Sequence, residues 1–375
     1  MRVVGAFTGI GGLETGLKQA GFSTVATAEI DPHASAVLAN RLPETINLGD
    51  VTAIEEFPDC DLIAAGFPCQ DLSQAGRMGG IHGPRSGLVR HIFDAVSRMS
   101  VLPEFLLFEN VPFLLNLHGG VGIAWLLRQV EQAGYRWAYR IIDSRAFGLP
   151  HRRRRLFVLA SRNMPPEQIL FDVGRHEPTV APNAQTPCGF YWTEGNRGLG
   201  WAVDAIPPLK STALVVSAPA IWRPPSRDFV TPTIEDAEAL QGFDRGWTAA
   251  ASDLIGGSTA RWRLVGNAVS VPAAKWVGSR ILEQRSWKSV SGGIQLRPGQ
   301  RWPKSAYGAF GRCFIVDDNE WPGQEPLGSL DDYLSDDLPR LSVRAAAGFL
   351  GRLNRSTLKS PSRFRNDLKE FIRNK

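Results

Sequence analysis

Over its first 160 residues the chain alternates short apolar runs with stretches of helical spacing. Residues 2 to 8 form an apolar run that breaks at Gly9-Ile10-Gly11-Gly12, after which Leu13 to Ala20 repeats with a helical period. Strand, glycine turn and helix predict the opening of a nucleotide-binding βα unit, in which glycine lets the backbone approach a ligand closely. A second run, Thr24 to Ala28, ends in Glu29-Ile30-Asp31. The third, Asp61 to Ala65, is closed by Gly66-Phe67-Pro68-Cys69-Gln70, and the fourth, Leu106 to Phe108, ends in Glu109-Asn110-Val111. Apolar runs bounded by Gly and Pro predict buried strands. Helical spacing at 88–98 and 121–133, with further strands near 137–142 and 155–160, completes an alternating α/β domain.

After Ala160 the alternation fades. Prolines and glycines crowd residues 164 to 232, with Tyr191, Trp192, Trp201 and Trp222 among them, which predicts a smaller, loop-rich domain. Helical spacing returns at Thr233 to Phe243 and again at Val271 to Glu283, the latter expected to pack back on the first domain. Residues 71 to 87 are polar and glycine-rich, a loop of a length that is usually functional, here expected to close over substrate.

Composition narrows the class. A chain of 375 residues with 43% hydrophobic residues can bury a large core. No apolar stretch approaches the ~18 residues of a membrane span and no secretory leader opens the chain, so a soluble, cytoplasmic protein without membrane contact is expected. The four cysteines, Cys60, Cys69, Cys188 and Cys313, lack metal-ligand spacing and do not cluster with the histidines, so no metal and no disulfide is expected and a reactive thiol is admissible. A net charge of +5 and a pI near 9.2 permit a nucleic-acid partner without requiring one. From Arg340 to Lys375 ten Lys or Arg stand against Asp367 and Glu370, following an acidic segment. With Leu341, Ala345, Phe349, Leu350 and Leu353 interleaved, that tail reads as a helix with one buried face. Its basic face suits phosphates, or equally balances the acids before it.

A lone cysteine is more often a small buried hydrophobe than a nucleophile. Cys69 is not alone in character, however. It follows one strand end, Glu109 sits at another, and Arg152 to Arg155 form a basic cluster, which together describe a nucleophilic site. Taken by themselves, Glu29 and Asp50 are as readily turn acids as ligand contacts.

The ordered set Phe7-Thr8-Gly9-Ile10-Gly11-Gly12, Gly66-Phe67-Pro68-Cys69-Gln70, Glu109-Asn110-Val111, Arg153 with Arg155, and Gly266-Asn267-Ala268-Val269 resembles the DNA cytosine-C5 methyltransferases, from about residue 1 to residue 285. Leu240-Gln241-Gly242-Phe243 is similar to a further motif of that family. The resemblance implies a Rossmann-like sheet of the S-adenosylmethionine-dependent methyltransferase type with a smaller inserted target-recognition domain. The corresponding boundaries are 1–161 for catalysis and cofactor, 162–262 for target recognition, 263–285 for a helix returning to the catalytic domain, and 286–375 for an extension of unknown role, favoured as a capping subdomain over a mobile tail. Trp302-Pro303 and Trp321-Pro322 hint at a paired element within it.

By the same resemblance Cys69, Glu109, Arg153 and Arg155 are the catalytic set. S-adenosyl-L-methionine would be held by Phe7, Gly9, Gly11, Gly12, Glu29, Ile30, Asp50, Val51, Pro68, Leu88, Asn267 and Val269. The implied partner is double-stranded DNA, bound by a monomer, and the implied enzyme is a bacterial or phage modification enzyme, either of a restriction-modification type with a cognate restriction endonuclease acting separately or of a solitary type without one. Two positions depart from the family pattern: His151 stands where Gln is usual, and Leu72 where Phe is usual.

Three rival readings remain at this point. A tRNA cytosine methyltransferase shares the catalytic set, but its Cys-Phe-Thr signature is missing; Cys313-Phe314-Ile315 is misplaced and lacks the Thr. An inactive DNA-binding paralogue is opposed by the intact Cys69, Glu109 and Arg153. A nicotinamide-dependent dehydrogenase would use the glycine turn and leave the Cys69 and Glu109 strand ends without a purpose.

Overall fold

The computed structural model describes residues 1–68, 87–171, 177, 185–192, 199–210, 219–283, 294–297, 299–322 and 325–374. In chain order its strands are β1 (Arg2–Ala6), β2 (Ser23–Ala28), β3 (Ile46–Asn47), β4 (Leu62–Ala65), β5 (Phe105–Asn110), β6 (Arg136–Asp143), β7 (Arg154–Ser161), β8 (Cys188–Trp192), β9 (Leu199–Val203), β10 (Ala220–Arg223), β11 (Asp228–Val230), β12 (Ile294–Gln295), β13 (Ser305–Ala309) and β14 (Arg312–Ile315). The chain divides into two compact units. One comprises Met1–Ala146, Arg154–Glu177 and Ala268–Gln324; the other comprises Phe147–Arg153, Pro178–Asn267 and Glu325–Lys375.

The first unit is built on a ten-stranded sheet in the order β12-β14-β13-β6-β7-β5-β4-β1-β2-β3. From β3 to β5 the neighbours are parallel, and β7 enters antiparallel between β5 and β6. Every residue of β4 and β5 is buried, as parallel strands covered on both faces require. The chain leaves β1 for β2 and β3 on one side, then returns to β4 and β5 on the other. That reversal opens a crevice beyond the carboxyl ends of β1 and β4, where ligands of open α/β sheets bind.

Helix Gly12–Ala20 covers this centre and itself packs against helix Val271–Leu282. The approach is close enough to exclude side chains. A Cβ at Gly16 would fall 2.4 Å from the Val271 carbonyl oxygen and 2.5 Å from the Ala274 Cβ. Helix Pro32–Arg41 starts at a sharp stop: Asp31 accepts from the His33 and Ala34 N–H groups, and Pro32 takes the first helical position.

The stretch after residue 285 is not a subdomain of its own, contrary to the capping reading of the sequence. Its first part, β13 and β14, extends the large sheet by pairing β13 with β6, whose outer edge would otherwise expose unpaired backbone. The hairpin lies between the two Trp-Pro pairs that hinted at it, and Tyr139 donates to the Pro303 carbonyl at 3.1 Å.

Its last part belongs to the second unit, whose four-stranded sheet runs β11-β10-β8-β9. Helices Val343–Arg355 and Ser362–Arg373 cover it. Phe364 is the centre, with ring centroids 5.0 Å from Phe190, 5.0 Å from Trp201, 5.5 Å from Trp222 and 5.8 Å from Phe229. Trp222 Nε1 donates to Asp367 at 3.1 Å, so even the polar edge of this core is satisfied by the tail. Of the apolar face read from the spacing, Phe349 and Leu353 are buried and Leu341, Ala345 and Leu350 half-buried; Ala346, which the spacing did not single out, is buried with them, while Arg344, Arg352 and Arg355 face outward. Among the described residues no helix is long and apolar enough to cross a membrane.

Because Phe364 joins both tail helices to the strands, Phe364→Ala should cost about 3–5 kcal/mol of the second unit's stability. A urea titration followed by tryptophan emission should show the transition of this unit at markedly lower denaturant. A midpoint unchanged from wild type would mean that the tail is dispensable to the unit.

Candidate active site

At the carboxyl end of β1 the backbone turns over Phe7, Gly9 and Gly11, with φ of 53°, 58° and 83°. Left-handed backbone is free for glycine but costs a side-chain-bearing residue such as Phe7 about 1 kcal/mol or more. The carboxylate of Glu29, just past β2, holds the turn in place. Its Oε2 accepts from the Gly9 N–H at 2.7 Å and its Oε1 accepts from the Asp31 N–H at 2.7 Å. Ile30 beside it is 70% exposed, an apolar side chain presented at a sheet edge. Asp50 accepts from the Thr52 N–H at 2.9 Å, and Val51 is buried. Both acids therefore make turn bonds, while a carboxylate has lone pairs enough for further donors.

The segments the sequence singles out meet at Gly66, one residue past β4. A Cβ there would lie 3.7 Å from Glu109 Oε2, 3.7 Å from Val269 Cγ2 and 3.9 Å from the Phe7 carbonyl oxygen. At Gly12 a Cβ would fall 2.4 Å from the Val269 carbonyl oxygen, so only glycine permits this contact. Glu109 is buried at the tip of β5, and Arg155 Nε stands 2.9 Å from its Oε1. Asn110 donates from Nδ2 to the Phe67 carbonyl at 2.9 Å and accepts from the Val111 N–H at 2.9 Å. Pro68 is exposed and Leu88 opens helix Leu88–Val96. Cys69, Leu72 and the loop through residue 86 lie outside the described residues.

In the second unit, two buried side chains satisfy the terminal carbonyls of helix Gly257–Asn267, which would otherwise lack partners. Arg153 donates to the Gly266 carbonyl at 3.1 Å and Gln241 donates to the Val265 carbonyl at 2.8 Å. They fix the helix end that carries Asn267. His151, fully buried, has Nδ1 3.2 Å from the Leu240 carbonyl oxygen, while its Nε2 accepts from the Leu209 N–H at 3.2 Å. That network assigns the proton to Nδ1. One donor and one acceptor are what a glutamine amide also offers, which is why His can stand where the family pattern has Gln.

Three of the four thiols, Cys60, Cys188 and Cys313, lie among the described residues. Burial pushes Cys60, Cys188 and Cys313 up to about 12, far from thiolate formation near neutral pH.

The family model for C-5 cytosine-specific DNA methylases matches residues 1–187. The chain is 42% identical to the Type II methyltransferase M2.BsuMI of Bacillus subtilis (strain 168), in an alignment that spans 95% of this chain and 94% of that protein. The chain belongs to the C-5 cytosine-specific DNA methylase family. It is a DNA cytosine-C5 methyltransferase, and the tRNA reading gives way to the DNA one. Solved structures share the fold: the Entamoeba histolytica methyltransferase EhMeth at a TM-score of 0.56 and 14% identity, over 75% of this chain and 97% of its own, and the S. pombe Dnmt2 methyltransferase at 0.52 and 18%, over 76% and 98%.

For this methyltransferase, sequence reasoning named Asn110 only as part of a motif, with no role. A polar amide at the end of an all-buried strand was the available signal, since a buried amide must find partners. Glu238 carried no such mark. It is buried and accepts from the Gly246, Trp247 and Thr248 N–H groups at 2.6, 3.1 and 2.9 Å, organising a turn that sequence spacing does not reveal.

Asn110 ties β5 to the segment two residues before Cys69. Asn110→Asp would oppose two acceptors at the Phe67 carbonyl, and kcat for DNA methylation should fall about 10- to 100-fold while methyl-donor affinity holds. Parallel steady-state kinetics and donor titration would check it; an unchanged kcat would deny Asn110 a positioning role.

Proposed function

We propose that the methyl donor is S-adenosylmethionine and that the methyl group goes to C5 of a cytosine flipped out of a specific duplex sequence, through a covalent adduct with Cys69. The observation that supports this reading is the meeting of Glu109, Val269 and the Phe7 carbonyl around Gly66, three residues before Cys69 in the chain. The duplex hides C5 and C6 from an attacking side chain, so the base must leave the stack.

The donor site suits its ligand. Phe7, Gly9, Gly11 and Gly12 present bare backbone at the β1 edge, Glu29 and Asp50 offer acceptors to ribose and adenine, and Ile30 and Val51 supply apolar surface for the ring. Pro68, Leu88, Asn267 and Val269 complete the set. When bound, the sulfonium supplies an electrophilic methyl group.

Cytosine C5 is a weak nucleophile until the ring loses aromaticity. The Cys69 thiolate forms a bond to C6, and the displaced ring electrons collect at N3 and O2. Glu109 delivers a proton or hydrogen bond at N3, oriented by Arg155 through its Oε1. Arg153 neutralises charge near O2. C5, now an enamine carbon, takes the methyl group. A base then removes the C5 proton, and its bonding pair expels Cys69 from C6 and restores the ring.

Within this reading residues 1–161 and 263–285 carry catalysis and cofactor, residues 162–262 read the target, and residues 286–375 extend both roles structurally. The similarity to a Type II methyltransferase supports a modification enzyme of the cytoplasm, a monomer whose cognate endonuclease acts separately.

Cys69→Ser should abolish methyl transfer and leave donor binding nearly intact. Duplex DNA with 5-fluorocytosine at the target should trap wild-type protein as a denaturant-stable adduct, since fluorine cannot leave as a proton does. Trapping by the serine variant would sink the assignment. For the donor, Glu29→Ala should lose about 1.5–3 kcal/mol of S-adenosylmethionine affinity by calorimetry, because charge-assisted hydrogen bonds to the ribose disappear. Equal affinity would put the ribose elsewhere.

A further inference from the structure

Glu14 is an anomaly beside the donor site. It lies in the first turn of helix Gly12–Ala20, is 0% exposed, and neither carboxyl oxygen has a hydrogen-bond partner among the described residues. Such a group costs several kcal/mol as an anion and still wants an explanation when neutral. Its position is specific. A Cβ at Gly5 would fall 2.1 Å from Glu14 Oε1 and 2.9 Å from Thr8 Oγ1, so the carboxyl fills the space glycine leaves on β1, at the foot of the Phe7–Gly11 turn. Replacing Gly5 by any other residue would evict it.

The charges around it are few. β1 and β4 bring no ionisable side chain to this face except Arg2 at the far, amino end of β1. On its own helix Lys18 is exposed. From the packed helix Val271–Leu282, Lys275 is exposed and Arg280 is committed to the Gln168, Ile169 and Phe171 carbonyls. Glu29, past the end of β2, is the charge that reaches it. Desolvation pushes Glu14 up to about 8, against the pull of its own backbone N–H, and the negative Glu29 adds to the rise.

We propose that Glu14 is a positioning residue of the methyl-donor site, protonated in the free protein and ionised when a cationic donor docks on the Phe7–Gly12 turn, so that donor binding releases a proton. The inference rests on reading that turn as the S-adenosylmethionine site. A fixed positive charge near a buried carboxyl favours its ionised form, and low dielectric strengthens the effect. The sulfonium has that charge and the thioether product does not. After transfer Glu14 would take its proton back, and the site would hold the product less firmly than the substrate.

The test uses full-length protein and isothermal titration calorimetry near pH 7 in two buffers of different ionisation enthalpy, which counts protons without catalysis. Wild type should release close to one proton on binding S-adenosylmethionine and distinctly less on binding S-adenosylhomocysteine. Its affinity for S-adenosylmethionine should rise by up to about tenfold per pH unit between pH 6 and 8, the limit for one linked proton. Glu14→Gln keeps the shape of the neutral carboxyl; it should release no proton and bind with little pH dependence, within about threefold of wild type at pH 6. Binding by wild type without proton release, or equal release by both proteins, overturns the role of Glu14 and leaves the donor site standing. No binding of S-adenosylmethionine by wild type overturns the donor assignment, and this proposal with it.

Discussion

The close approach of helix Gly12–Ala20 to the segment from Val269 to Lys275 is the constraint on which the rest depends. A Cβ at Gly12 would strike the Val269 carbonyl at 2.4 Å, and one at Gly16 the Val271 carbonyl at the same distance. Two bare helix positions thus let a segment more than 250 residues downstream sit against the first glycine turn. Without that seat Val269 would not reach the neighbourhood of Gly66 and Glu109, and the crevice beyond β1 and β4 would lose one wall. The glycines serve packing as much as nucleotide access.

Acids around this crevice, Glu29 half-buried and Glu109 and Glu14 buried, are handled in three physically distinct ways. Glu29 is an anion satisfied by backbone N–H groups. Glu109 is held by the Arg155 guanidinium. Glu14 has neither kind of partner among the described residues, and burial raises its pKa, which favours the neutral form. The same sheet edge therefore holds a structural anion, a steered acid and a titratable reserve. Their differing chemistry follows from what each finds within bonding distance rather than from residue type.

The second unit shows how a loop-rich insertion acquires rigidity. A small sheet of short strands still has an apolar face that must be covered. The two C-terminal helices supply that cover, with Phe364 among four aromatic rings of the strands and Asp367 accepting a hydrogen bond from the indole N–H of Trp222. The basic side chains that remain outward are thus displayed on a packed element, not on a loose tail. Arg153, Gln241 and His151 perform the same service inside the unit, each joining segments distant in sequence through one or two buried hydrogen bonds.

Local pattern alone determined the strand–glycine–helix opening, the buried β4 and β5, the cysteine segment after the one and the acid at the tip of the other, and the ordered motifs, because each is written in consecutive residues. The first glycine turn was legible for the same reason. Only tertiary structure decided that β13 closes the edge of β6, that the tail splits between two units, and that Asn110, Glu238 and Glu14 have buried partners or none. Edge pairing and burial depend on which surfaces meet across long sequence separations, and hydrophobic patterning marks a face without naming its cover. His151 shows the limit most clearly. As a letter it is a departure from the family pattern. In place, with one nitrogen facing the Leu240 carbonyl and the other accepting from Leu209, it does what the usual amide would do.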